Sequence, residues 1–559
     1  MSQLVRNPVL RGFEPDPSIA VWNGRYVIAT STFEWFPGVR LHISDDLAHW
    51  QPAGHVLTTP EQLDLRGVPD SGGIWAPSVS VAHGRLWLVY TVVRTSGAAG
   101  KDLDNYLVTA DAPEGPWSAP VRLGSRGFDA SMFHDDDGRH WLACVRWDPR
   151  AGRRRFAGIS VQEYDCDRAC LVGPARVVLT SDELIEGPNL YRKGDFVYLM
   201  VAQGGTGWNH GIAMARSRDV LGPYRADPWP SLLTTRDDPA SPLQKAGHGE
   251  LVRTAEDDWY LVHLASRPVA DEQGRFCVTG RETCLQRVTW TDDGWLRVAD
   301  DEGVPTGGFL PRQDVAVPGE GRSAVVSPDL VEEFGGPELD TRVWSSLRRP
   351  ATPDWADLTS RPGRLRLRGG QYPGSRFGQS MVATRLKEPW ACATTVVEAS
   401  PADIGQRAGL AVWYDAVGYH YIHVTLDDEG RRVVLVESST PRGGLVAAGE
   451  PHAVPGPGSV HLRFRLEKRT VAMDFGRDGL AWTTVAVLPS RPVSDDCEGL
   501  LRFTGAMVAL RADDHDGTGL RADFGRTTVA YDCGAGGGAT ESRTTSSVRR
   551  CTGLPGTPS

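Results

Sequence analysis

The sequence predicts an all-β molecule, a five-bladed β-propeller followed by a β-sandwich. Three observations carry that reading. First, a short polar turn running into an aromatic and apolar strand occurs five times: Asn23-Gly24-Arg25-Tyr26-Val27-Ile28, His83-Gly84-Arg85-Leu86-Trp87-Leu88, Asp137-Gly138-Arg139-His140-Trp141-Leu142, Lys193-Gly194-Asp195-Phe196-Val197-Tyr198 and Asp257-Asp258-Trp259-Tyr260-Leu261-Val262. Anchored on Gly24, Gly84, Gly138, Gly194 and Asp257, the copies lie 60, 54, 56 and 63 residues apart. A steady period of that size, with a hairpin signal in each unit, indicates a radial array of small sheets. Second, helical periodicity is almost absent from this half. Third, the later text alternates strictly, as in His461-Leu462-Arg463-Phe464-Arg465-Leu466-Glu467 and Tyr419-His420-Tyr421-Ile422-His423-Val424-Thr425. One polar and one apolar face per strand is the pattern of an antiparallel sandwich.

Taken in order, residues 1–305 hold the propeller. A second echo supports four strands per blade: Asp46 through Trp50, Asp111 through Trp117 and Asp219 through Tyr224 each run from an acidic turn to an aromatic, as an outer hairpin would. Residues 306–325 are rich in Gly, Pro and charge and read as a linker. Residues 326–532 form the sandwich. From 533 to 559 the chain is Gly, Thr, Ser and Arg with almost nothing to bury, and a disordered tail is expected.

Composition narrows the function. The chain of 559 residues is long enough for two full cores. Its 60 basic and 70 acidic residues give a net charge of −10, with no basic stripe for nucleic acid. No stretch reaches the ~18 uninterrupted apolar residues of a membrane span, and the N-terminus shows no apolar signal segment, so a cytoplasmic location is expected. The nine Cys are odd in number and scattered, which suits free thiols. Cys166 and Cys170 have no second pair or His near them in sequence, so no zinc site is expected. Eighteen Trp supply core and hairpin packing and, near an axis, flat faces that match the C–H face of a pyranose.

Eight or nine residues before the five anchors lie Asp16, Ala76, Asp129, Glu186 and His248. If the units are blades, these positions are equivalent and face one axis. Singly, an Asp before Pro or Ser is a turn cap. Three acids at repeated positions beside a Trp-lined funnel suit glycosidic bond cleavage, in which one carboxylic acid protonates the leaving oxygen and one carboxylate activates water or attacks carbon. The acid must be buried or face a negative neighbour to stay protonated near neutral pH.

An ordered series of segments then resembles glycoside hydrolase family 43, in particular its two-domain β-xylosidases and α-L-arabinofuranosidases. It runs from Asn7-Pro8-Val9-Leu10 and Asp16-Pro17-Ser18 through Gly73-Ile74-Trp75-Ala76-Pro77, Phe128-Asp129, Glu186-Gly187-Pro188, Gly204-Gly205-Thr206-Gly207, Lys245-Ala246-Gly247-His248-Gly249 and Gly280-Arg281-Glu282-Thr283 to Phe503-Thr504-Gly505-Ala506. The resemblance implies Asp16 as general base, Glu186 as general acid and Asp129 as the group that raises and orients the acid. It implies Arg281 as a ligand of sugar hydroxyls that holds Asp129 or Asp16 charged, and Phe33, Trp75 and Phe128 as the apolar wall of the −1 subsite. Phe503 would close the pocket from the sandwich. His248 would bind water, substrate or a structural calcium. The implied enzyme is an inverting exo-glycosidase that releases terminal xylose from short xylo-oligosaccharides. Arabinofuranose is the alternative sugar, and a non-catalytic sugar-binding propeller is the alternative of another class. No cofactor beyond water is required, and a homo-oligomer is one expectation because relatives often associate. The chain departs from the family's usual text at Ala130 and Asn189, which leaves the three carboxylates in place.

Overall fold

The computed structural model describes residues 2–95, 100–319, 321–323 and 327–531. The expected tail, residues 533–559, lies outside them. Five sheets of at least four strands follow one another along the chain, each built as a meander from the axis outward. Blade 1 comprises Ser18–Trp22, Arg25–Thr30, Gly38–Ser44 and Gln51–Leu57. Blade 2 comprises Gly73–Ala82, Arg85–Val93, Leu103–Ala110 and Val121–Gly124. Blade 3 is Ser131–His134, His140–Trp147, Phe156–Asp165 and Cys170–Leu179. Blade 4 opens with Ile185–Lys193, Phe196–Gln203 and Gly211–Ser217. Blade 5 is Gln244–Arg253, Trp259–Ser266, Glu282–Trp290 and Leu296–Val298.

The repeated turn is the first hairpin of each blade. Asn23 and Gly24 sit at φ +47° and +79°, and His83 and Gly84 at +52° and +67°. Both pairs have the left-handed backbone of a two-residue hairpin loop, whose twist matches the flanking strands. The acidic-to-aromatic echo is the outer hairpin: the Asp46 carboxylate accepts from the backbone N–H groups of Ala48 and His49, fixing the turn. Inside the stretch expected as linker, Asp314–Pro318 is a strand that pairs antiparallel with Ser2–Arg6, so the two ends of the propeller meet.

Two sheets form the second domain. In one, Val460–Glu467 alternates buried and half-buried residues as the sequence predicts. In the other, Gly418–Leu426 is buried on both faces until its last residue, against the expected polar face. The reason is a third layer. Ile422 and Val424 pack into the sandwich core, while Tyr419 and Tyr421 join a cluster with Phe33, Trp35 and Trp75 of the propeller. The contact extends to the backbone: Trp35–Phe36, from the loop after the second strand of blade 1, pairs with Ser345–Leu347 at the edge of that sheet. Among the described residues, the single helical element is the short turn Arg491–Val493.

Candidate active site

The N-terminal ends of the inner strands define one end of the propeller axis. There the chain enters each blade through a left-handed residue: Asp16 at φ +53°, Ala76 at +21°, Asp129 at +53°, Gly187 at +54° and His248 at +37°. Four of these are not glycine, a conformation that costs an L-residue about 1–3 kcal/mol and persists only where the surroundings enforce it. This repeat corrects the expected register. The residue of blade 4 equivalent to Asp16 and Asp129 is Gly187, and Glu186 stands one position earlier, level with Trp75 and Phe128. Pairing of Ile185–Lys193 with its neighbour shifts register between Glu186 and Asn189, as Gly73–Ala82 does between Trp75 and Ser78. Such an irregularity re-aims a side chain at the rim of a sheet.

Asp16, Asp129 and Glu186 line one pocket together with Phe33, Trp75, Phe128, His248, Arg281 and Phe503. All nine residues expected at the site are therefore gathered. Thr206 and His210 complete the lining and were not among them. Thr206 follows Gly204-Gly205 directly, and that glycine-rich segment was its signal in the sequence; His210, further along the same connection, had none.

Arg281 organises the floor. Its Nη1 donates to Asp16 Oδ1 at 2.8 Å and to Thr206 Oγ1 at 3.1 Å, and its Nη2 donates to the carbonyl of Phe503 at 2.9 Å. Of the two acids expected to pair with it, it bonds Asp16. The second Asp16 oxygen accepts from Ser31 Oγ at 2.7 Å. His248 Nδ1 is 3.8 Å from Asp16 Oδ1, too far for a hydrogen bond. Burial holds the His248 imidazole below its ordinary pKa, against the pull of the Asp16 charge.

Glu186 and Asp129 titrate together. Burial, then the Asp16 charge, pushes Glu186 up to about 7, while Arg281 and Lys101 oppose the rise. Burial, then Glu186 and Asp16, raises Asp129 well above the usual carboxylate range, although the Gly187 backbone N–H bonds its charged form. Two buried carboxyls that repel each other beside a third negative group retain a proton between them near neutrality.

The wall is aromatic. Trp75 meets Phe128 edge-on at 5.4 Å and Phe503 at 5.3 Å, and Phe33 stacks on Phe503 at 6.0 Å. Trp75 Nε1 donates to the carbonyl of Ser71, whose hydroxyl accepts from the backbone N–H of Phe503. Phe503 comes from the sandwich, and the approach that delivers it requires glycine. A Cβ on Gly280 would lie 2.1 Å from the Thr504 carbonyl oxygen, and one on Gly505 would lie 2.4 Å from that of Thr279. Lys101 stands near the same wall, its Nζ 4.6 Å from the Trp75 ring and 5.6 Å from that of Phe128.

Three carboxyls inside one aromatic pocket, to which a second domain contributes Phe503, suit a hydrolase of glycosidic bonds. Comparison with known proteins gives the lineage. Residues 5–296 match the profile of Glycosyl hydrolases family 43, and residues 331–529 match the Beta xylosidase C-terminal Concanavalin A-like domain. The chain is 41% identical over 532 residues to Xylosidase/arabinosidase 43B of Humicola insolens, covering 93% of this chain and 96% of that one. It is 38% identical to the Beta-xylosidase of Bacillus subtilis, covering 93% and 98%. The crystal structure of xylan beta-1,4-xylosidase from Bacillus halodurans superposes with a TM-score of 0.89 at 42% identity, over 94% of this chain and all of that one. The protein belongs to glycosyl hydrolase family 43.

Proposed function

We propose that the protein is an inverting exo-β-D-xylosidase that releases terminal xylose from short xylo-oligosaccharides. The observation that carries this reading is the lining of one pocket. Asp16, Asp129 and Glu186 share it with Phe503, which the second domain contributes, and a domain standing beside the acids favours the end of a chain over its middle. In this mechanism Glu186, protonated near neutral pH, gives its proton to the glycosidic oxygen as the C–O bond breaks. Asp16 takes a proton from water as that water attacks the anomeric carbon from the opposite face. Inversion places the two carboxyls about 6.5–9.5 Å apart, leaving room for the water. Asp129, beside Glu186, orients the acid, while burial and the Asp16 charge disfavour the charged form of Glu186. Arg281 holds Asp16 and contributes a ring-hydroxyl ligand, and Phe33, Trp75 and Phe128 bury the apolar face of the sugar.

Arabinofuranosidase activity on the same scaffold is the second reading, favoured by the double designation of the Humicola relative. A calcium ion beside His248 would find Asp16 already engaged by Arg281 and Ser31, so most of its six to eight oxygen ligands would come from water. No catalytic step is assigned to it. No helix among the described residues is long and apolar enough to cross a membrane, and our reading places the enzyme in the cytoplasm, acting on imported oligosaccharides.

The test is hydrolysis of aryl β-D-xylopyranoside and aryl α-L-arabinofuranoside side by side, with Asp16→Asn as control. The expected result is faster turnover of the xyloside and a loss of about 10²–10⁴-fold in the variant. Preference for the arabinofuranoside selects the second reading. Sugar binding without turnover of either substrate overturns the enzymatic assignment.

A further inference from the structure

Among the described residues, two clusters bring three potential ligand atoms within 4.8 Å of one another. In one, Cys277 lies with Asp495 and Asp496, and there the Lys245 ammonium already bonds both carboxylates. The other comprises His83, His140 and Cys166. His83 stands in the first hairpin turn of blade 2, His140 begins the second strand of blade 3, and Cys166 stands in the outer hairpin turn of blade 3. Inner strands begin at the pocket and end at these turns. Ala76 and His83 are separated by seven residues of mostly extended chain, which sets the cluster roughly 20 Å from the acids.

The imidazoles form a chain. His83 Nε2 lies 3.0 Å from His140 Nε2, His140 Nδ1 lies 2.7 Å from His134 Nδ1, and His134 Nε2 lies 2.9 Å from Ser80 Oγ. Trp87 packs against all three rings, at 6.4 Å from His83, 5.5 Å from His140 and 5.2 Å from His134. A neutral imidazole has one donor and one acceptor nitrogen. If His140 donates from Nδ1 to His134, and His134 donates from Nε2 to Ser80, the His140 Nε2 lone pair faces His83 Nε2. Cys166 Sγ lies beside both. A ligating histidine held through its other nitrogen is the usual support of a metal site.

We infer that His83, His140 and Cys166 form a binding site for a divalent borderline-soft cation, Zn2+ being the type, on the end of the propeller away from the pocket. Both imidazoles ligate through Nε2. The Cys166 S–H bond breaks, its proton leaves to solvent, and the thiolate takes the third position, with water in the fourth. The ion would staple the inner hairpin of blade 2 to the outer hairpin of blade 3. Sequence spacing hid the set, because His83 and His140 are 57 residues apart and meet only when adjacent blades pack.

The experiment titrates the metal-stripped full chain with Co2+, reading the thiolate-to-cobalt charge-transfer absorption, and with Zn2+ by calorimetry. One site per chain is expected, with the charge-transfer band present and a rise in Tm on adding Zn2+. Cys166→Ser should abolish the band and Cys170→Ser should leave it intact. His134→Ala, which removes the support of His140, should weaken binding about 10- to 100-fold. Near-ultraviolet circular dichroism checks each fold. Should Cys166→Ser misfold, His83→Ala, at an exposed turn, replaces it and must weaken Zn2+ binding at least as much as His134→Ala. Absence of binding, or a band that survives Cys166→Ser, overturns the site.

Discussion

At the scale of single residues, the proposed chemistry turns on the proton of Glu186. Its carboxyl is pushed up to about 7, chiefly by burial. A general acid works while protonated, so kcat/KM should fall as pH rises through about 7. Glu186→Gln should remove that alkaline limb and lower turnover of xylobiose about 10²–10⁴-fold. Aryl xylosides, whose leaving groups need little protonation, should lose much less. A pH–rate series on both substrates decides it, and an unmoved alkaline limb would place the proton elsewhere. The three acids were legible in the sequence because they recur beside a repeated turn. His210 and Lys101 were not. Burial of a lone histidine and the approach of a lysine to a distant tryptophan depend on how blades pack, which local text does not encode.

At the scale of elements, the decisive device is the left-handed residue at each blade entrance. In blade 4 it is Gly187, where a Cβ would meet the His248 ring at 2.8 Å from Nε2. Gly187→Ala should cost about 1–2 kcal/mol for the backbone conformation alone. It should also shift Glu186 and depress kcat in a protein that still folds. Denaturant unfolding and initial rates on one preparation separate the two effects, and an unchanged kcat would mean that the acid tolerates movement of its own strand. The hairpins of the propeller were readable because Asn-Gly and His-Gly turns are local signals. The entrance register was not, since Lys193 pairs with Phe196 and Trp22 with Arg25, so Gly194 opens its two-residue turn where Gly24 closes its own, and counting back from it lands one residue early, on Glu186.

At the scale of the whole molecule, the pocket belongs to neither domain alone. Trp35 is fully buried in a cluster that also holds Leu347, Trp413 and Tyr421 of the sandwich. Trp35→Ala should destabilise the protein by about 3–5 kcal/mol. By loosening the seat of Phe503 it should also raise KM for the xyloside. Calorimetry paired with saturation kinetics tests this, and a stability loss with unchanged KM would separate the clasp from the pocket. The second domain's sandwich class was legible from alternation, but the burial of both faces of Gly418–Leu426 was not, because a tyrosine facing water and one facing another domain look alike in sequence. The strand Trp35–Phe36, lent by one domain to the other's sheet, has an evolutionary corollary. A cap transplanted from a relative would arrive without the edge partner it was matched to, so a domain exchange that reshapes the pocket would have to carry Trp35–Phe36 along with the cap.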